Sequence, residues 1–299
     1  MTVPNPGPEL QLAPNPANPA LSVATTGLDQ NGESLSLWAV AERMLTIFLN
    51  GREVVTVMTV GDNAEYLALG FLLNQRLLVP GDTVQSIDYN AAHGTVMVQA
   101  TQEARPESGP VQRIHTSGCA VGTLFGGVME SLEDIRLSSS TMVRSSWLRA
   151  IGRKIDGLET LHRKTGSIHR CVLCQEDRLL AYVEDVGRHN ALDALAGFMF
   201  LRGIDPANKS IYTTGRLTSE VVIKTVIMGV PVLVSRGGFT ALGVDLARKT
   251  DLTMIGRCRG RFFQVLSGHG RIRFDAPVLS ETAVPVPPAV NIPTPRQQA

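Results

Sequence analysis

The chain has 299 residues, 43% of them hydrophobic, which is enough to bury a substantial core in one or two domains. A formal net charge of +1 provides no global field for nucleic acid or anionic membrane, so any electrostatics that matter must be local. Four cysteines are too sparse for the disulfide framework of a small secreted domain, and no apolar run approaches the length of a membrane span. A cytoplasmic protein with no nucleic-acid or membrane partner is the expectation.

Twelve of the seventeen prolines fall in residues 1–20 and 277–299, where apolar periodicity is absent. Such segments cannot offset the entropy of ordering, so 1–35 and 276–299 read as disordered tails. A strand-rich N-terminal part at 36–110 and a core at 111–275 are expected between them. "MLTIFLNGREVVTVMTV" is two β-rich runs around Asn50-Gly51, a strong hairpin signal. A helix follows in "GDNAEYLALGFLLNQRLL", with Asp62 as the expected N-cap and Glu65 at the capping-box position. Further strands are expected near 84–90 and 94–100, and helices at 121–135 and 141–157.

"RIHTSGCAVGTLFGG" (113–127) places Cys119 among glycines, with His115 nearby. A structural cysteine packs in an apolar run, so this loop reads as a displayed thiol. From residue 168 onward strands alternate with helices: "LLAYVEDV", "SIYTT", "PVLVS" and "LTMIG" are separated by helical patterns. That alternation predicts an α/β core with a mostly parallel sheet, and ligands bind at the carboxyl ends of such strands.

The loops at those ends are "EDVGRHN", "TGRLTSE", "SRGGFT" and "GRCRGR", each with glycine and arginine. Free N–H groups at helix N-termini and bidentate guanidiniums both suit phosphate. Arg188, Arg216, Arg236, Arg257, Arg259 and Arg261 together point to a large polyanion such as a nucleotide. The glycines match neither a GxGxxG fingerprint nor a P-loop.

Cys171-Val-Leu-Cys174 has zinc-knuckle spacing, but no second pair occurs, and residues three apart in a strand face opposite ways. Packing is expected and zinc is not. Cys258, between two arginines, is a secondary candidate for a reactive thiolate. His189 is expected either to contact a ligand or simply to cap its helix or pack. Glu184 and Asp185 could serve as a carboxylate pair, bind a sugar or pair with arginine.

"EDVGRHNALDALAG" resembles the signature of the FdhD family of formate dehydrogenase accessory sulfurtransferases. "AEYLALGFLLNQRLL", the cysteine loop, "TGSIHR", "TTGRLTSEVVIKTVIMGVPVLVSRG" and "LTMIGRCRGRF" match in order across roughly 36–275. The resemblance implies a cytidine-deaminase-like layered α/β core without the deaminase zinc, commonly a homodimer. It implies that a cysteine desulfurase loads Cys119 with sulfane sulfur. The persulfide then supplies the molybdenum or tungsten bis-(molybdopterin guanine dinucleotide) cofactor of formate dehydrogenase. It also places the cofactor-binding segment on Arg257, Cys258, Arg259, Gly260, Arg261 and Phe262. Many members have C-x-x-C in the loop; here Gly122 replaces the second cysteine. One thiolate suffices for a persulfide, although a carrier that only binds cofactor is the rival reading.

Overall fold

The computed structural model describes residues 10–79, 81–101, 135, 137 and 140–275. Its N-terminal part opens with a hairpin of β1 (Ser22–Leu28) and β2 (Ser34–Val40). A four-stranded sheet follows, in the order β4 (Arg52–Thr59), β3 (Arg43–Leu49), β6 (Thr95–Thr101), β5 (Thr83–Asn90). Asn50 and Gly51 both take positive φ in the β3–β4 turn, which is the geometry that a two-residue hairpin demands. Helix α1 (Ala64–Asn74) connects β4 to β5 and packs on β5 and β6.

The second sheet has six strands, in the order β13 (Phe262–Ser267), β12 (Thr253–Arg259), β11 (Val232–Ser235), β10 (Ser210–Thr213), β8 (His169–Gln175), β9 (Arg178–Asp185). Helices α4 (Arg188–Leu201), α5 (Ser219–Ile227) and α6 (Ala241–Lys249) connect β9 to β10, β10 to β11 and β11 to β12. A short strand β7 (Val143–Arg144), helix α2 (Ser145–Asp156) and helix α3 (Leu161–Thr165) precede the sheet. Strand β14 (Ile272–Arg273) closes the described chain by pairing with β7. No helix among the described residues is long and apolar enough to cross a membrane.

Two expectations need correction. The sheet is mixed rather than mostly parallel: β10–β11 and β11–β12 are parallel, while β8–β9, β8–β10 and β12–β13 are antiparallel. Strands joined by two-residue turns, as at Glu176-Asp177 and Gly260-Arg261, can only pair antiparallel. Nor are residues 10–35 a tail. Asp29 Oδ1 accepts from Asn31 N and Glu33 N, both at 2.8 Å, and so forms the β1–β2 turn. Upstream, Gln11 N donates to Leu180 O and Tyr182 N to Leu12 O, bridging Leu12 to the edge of β9. The helix expected at 121–135 lies outside the described residues, except for Ile135. Asn63, not Asp62, is the N-cap of α1, and its side chain makes no capping bond.

Alternation in β8 sets the two cores. Cys171 and Leu173 face the cluster shared with α1, α4 and α5, whereas Val172 and Cys174 face the cluster shared with α2. Helix α2 buries Leu148, Ile151 and Ile155 along one stripe, as an amphipathic helix against a sheet should. Helix α4 is buried on nearly every face, because α1 covers the side that the sheet leaves open.

Contact between α1 and α4 is backbone to backbone. A Cβ at Gly70 would lie 1.7 Å from Asp193 O, and one at Gly197 would lie 2.0 Å from Tyr66 O. Overpacking of this kind costs about 3 kcal/mol or more when neither backbone can retreat. Gly70→Ala is therefore expected to lower the urea midpoint by that equivalent or to prevent folding, whereas Gly152→Ala, with open space around it, leaves the midpoint near wild type.

Candidate functional site

Four expected loops meet at the carboxyl ends of β9–β12, joined there by the first residues of antiparallel β8. The loops at 214–220, 235–240 and 256–261 are bonded in series, and the first is tied to the start of β8. Arg170 N donates to Thr214 Oγ1, and Thr214 N donates to Arg170 O, both at 3.1 Å. Ser235 Oγ donates to Gly215 O at 2.5 Å and accepts from Gly237 N at 2.8 Å. Arg236 N donates to Thr213 O, Leu217 N to Gly238 O and Arg257 N to Gly237 O. Arg259 Nε completes the series on Arg236 O at 3.1 Å. Glycine is required where the loops touch: a Cβ at Gly237 would lie 2.9 Å from Gly215 O, and one at Gly215 would lie 3.0 Å from the Arg188 side chain.

The arginines of these loops lie along one sheet edge, with differences among them. Arg188 and Arg236 are half-buried; Arg216, Arg257 and Arg259 are exposed. Arg188 Nε is buried without a hydrogen-bond partner among the described residues. Arg236 reaches Asp156 at 3.2 Å, a surface pair worth little. Arg257 holds φ +50° at a bulge in β12, a region few non-glycine residues occupy, and its guanidinium lies 5.7 Å from the Phe239 ring centre. Gly260 and Arg261 form the β12–β13 turn, and Phe262, the first residue of β13, is 66% exposed.

Two helices open on this edge. Neither Gly187 at the start of α4 nor Thr218 at the start of α5 provides a side-chain cap, and α5 carries Glu220 in its own first turn. Helix α6 differs, since Thr240 Oγ1 accepts from Gly243 N at 3.2 Å.

His189 is only 5% exposed, and its Nε2 lies 3.0 Å from Glu220 Oε2 on α5. The ring approaches α5 from α4 at ion-pair distance, but neither of its nitrogens makes a hydrogen bond among the described residues. Sequence reasoning missed Glu220 as its partner, and also Arg170, a buried residue of the quoted "TGSIHR" whose Nε has no partner among the described residues. His169 is pushed below the usual histidine range by burial and then by Arg188 and His189.

The carboxylate pair serves the scaffold. Glu184 accepts from Leu161 N and His162 N, both at 2.8 Å, at the start of α3. Asp185 accepts from Thr59 Oγ1, Val60 N, Gly187 N and Asn190 Nδ2, tying β4 to the start of α4. Burial pushes the Asp185 carboxyl up to about 6.

Cys258 corrects a further expectation. It packs with Tyr212, Ile255 and Val234, and burial pushes its thiol up to about 11, outweighing the opposing pull of Arg236. Burial likewise raises Cys171 to about 12 and raises Cys174 as well. The two side chains of "CVLC" enter different cores, so they do not converge on one ion. Cys119 and His115 lie outside the described residues. In native protein at pH 7.5, Cys171, Cys174 and Cys258 are expected to take up no iodoacetamide within an hour and to label fully in urea, as peptide mapping would show.

Several known proteins are similar to this chain. A model of the FdhD/NarQ family matches residues 40–273. The sulfur carrier protein FdhD of Bacillus licheniformis is 30% identical over 237 residues, covering 77% of this chain and 88% of its own. That of Bacillus subtilis is 29% identical over 235 residues, covering 78% and 90%. A provisionally assigned formate dehydrogenase accessory protein from Desulfotalea psychrophila, known from its crystal structure, superposes with a TM-score of 0.70 at 25% identity. The match covers 85% of this chain and all of that one. On the strength of a match across most of its length, the chain belongs to the FdhD/NarQ family.

Proposed function

We propose that this protein is a sulfur carrier for formate dehydrogenase. It would take sulfane sulfur from a cysteine desulfurase on Cys119 and deliver it to a bound molybdenum or tungsten bis-(molybdopterin guanine dinucleotide) cofactor. The observation that carries this reading is the arginine edge. Cross-bonded loops hold Arg188, Arg216, Arg236, Arg257 and Arg259 beside two uncapped helix N-termini. The unpartnered Arg188 Nε, packed against a glycine that admits no side chain, fits a phosphate group of such a ligand. The names of the similar proteins, sulfur carrier and formate dehydrogenase accessory protein, support the same assignment.

In this scheme the edge binds and orients the nucleotide ends, while Cys119 carries the sulfur. The Cys119 thiolate attacks the outer sulfur of the desulfurase persulfide. Its S–S bond breaks, the donor leaves as a thiolate, and a new persulfide stands on Cys119. The buried thiols at 171, 174 and 258 have no part in this exchange, because each is held protonated. Gly122, in place of a second loop cysteine, removes a thiol that would discharge the persulfide; the competing reading is a carrier that binds cofactor without handling sulfur.

Intact-mass analysis after incubation with a cysteine desulfurase and cysteine separates the two. A gain of one reductant-sensitive sulfur on wild type, absent from Cys119→Ala, is the expected result. No gain on wild type, with another family member loading normally, would establish the cofactor-only carrier instead. For the edge, Arg188→Met is expected to weaken guanosine diphosphate binding about tenfold or more, the worth of one charge-assisted hydrogen bond. Calorimetric titration would show it, and unchanged affinity would remove the ligand from that edge.

A further inference from the structure

Phe239 and Arg257 come from different loops of the arginine edge. Arg257 is exposed, and no ion pair to its guanidinium is found among the described residues. What it meets instead is a ring. The guanidinium carbon lies 5.7 Å from the centre of Phe239, within reach of a cation–π contact.

Both partners are held for this contact. Phe239 is half-buried, and a bridge to Leu217 fixes its backbone: Leu217 N donates to Gly238 O, and Thr240 N donates to Leu217 O at 3.1 Å. Its ring lies across Gly256, where a Cβ would come within 2.8 Å of Phe239 Cδ1 and 3.3 Å of Leu266 Cδ1. One residue on, Arg257 takes φ +50° where β12 bulges between Gly256 and Arg259, and its N–H donates to Gly237 O at 2.9 Å. A left-handed conformation is costly for a residue with a side chain and persists only where the surroundings impose it.

Phe239 also precedes Thr240, the N-cap of α6, the position from which an apolar residue staples the start of a helix. Leucine would serve that purpose equally well. The staple accounts for neither the glycine beneath the ring nor the guanidinium beside it.

We propose that Phe239 is a positioning residue for anion binding at this edge: its ring, seated on Gly256, holds the Arg257 guanidinium in place to receive a phosphate of the ligand. This rests on the polyanion reading of the edge given above, and it makes the contribution of Arg257 depend on a residue outside the 257–262 segment. A guanidinium seated on an aromatic face keeps its N–H donors free for an anion, whereas one paired with a carboxylate does not. Without the ring, an exposed arginine has to be ordered when the ligand arrives, and affinity falls by that entropy.

The test is calorimetric titration of the full chain with guanosine diphosphate. Arg257→Met is expected to weaken binding about tenfold. Phe239→Leu, which keeps the apolar staple, should weaken it about threefold, and Phe239→Tyr, which keeps a ring, should match wild type. Added to Arg257→Met, Phe239→Leu should cause no further loss. A second signature needs no ligand: the Arg257 δ-proton resonances, displaced by the ring current in wild type, should move in Phe239→Leu and stay in place in Phe239→Tyr. Equal affinity of Phe239→Leu and wild type would overturn the proposal. So would a loss of the same size in the Arg257→Met background, because the ring would then act without the guanidinium, and so would unmoved Arg257 resonances. Binding that Arg188→Met weakens, but that Arg257→Met and Phe239→Leu leave unchanged, would remove this proposal alone. Failure of wild type to bind guanosine diphosphate would remove the polyanion reading of the edge and this proposal with it.

Discussion

Much of the architecture depends on one buried carboxylate. Asp193, on α4, accepts from Lys224 Nζ on α5 and from Asn74 Nδ2 on α1, each at 2.7 Å. Both members of the ion pair are almost fully excluded from solvent. Desolvating two charges roughly cancels their attraction, so the pair adds little net stability. Removing one partner would still cost about 3–5 kcal/mol. Its consequence is specificity of arrangement, because any sliding of the three helices strands a charge. The glycine crossing of α1 and α4 acts on the same helices through sterics, with a Cβ at Gly70 meeting the carbonyl of Asp193 itself. Charge pairing and close approach are thus satisfied by one placement of α4.

That placement sets the functional edge. The first turns of α4 and α5 carry Arg188, His189 and Glu220, and His189 Nε2 lies 3.0 Å from Glu220 Oε2 where the two turns meet. Asp185 fixes the approach to α4 from the other direction, through Thr59, Val60, Gly187 and Asn190. Five arginines and two uncapped helix N-termini then share one sheet edge, although the chain as a whole is nearly neutral. Under the proposed function, the affinity of that edge for a polyanion falls with ionic strength.

Local rules made much of this legible in the sequence. The Asn50-Gly51 hairpin, strands β5 and β6, and the alternation from residue 168 are local patterns, and each appears where expected. The strand-end rule located the four loops because β10, β11 and β12 run the same way. Residues 10–35 escaped because their order comes from elsewhere in the chain. Leu12 is held by the exposed edge of β9, and composition alone carries no record of that edge. The sense of β8 and β13 was obscured by turns that lack Asn-Gly or Asp-Gly dipeptides. Glu176 takes the left-handed conformation that glycine usually supplies. Glu220 and Arg170 gained their significance only from contacts across the sheet edge.

Cys258 shows the limit of reading charge from neighbours in sequence. Two flanking arginines suggest a thiolate, yet alternation along β12 directs those side chains outward while the sulfur enters the core. Burial then decides the protonation state, as it does for Cys171 and Cys174. The consequence reaches the sulfur chemistry. A persulfide is lost when a second thiolate attacks it, and none of these three thiols is both ionised and accessible. With glycine at position 122 as well, a sulfur placed on Cys119 would have no intramolecular route to a disulfide through the described cysteines. Retention until an acceptor arrives is what a carrier needs, and here it follows from where the other cysteines are packed.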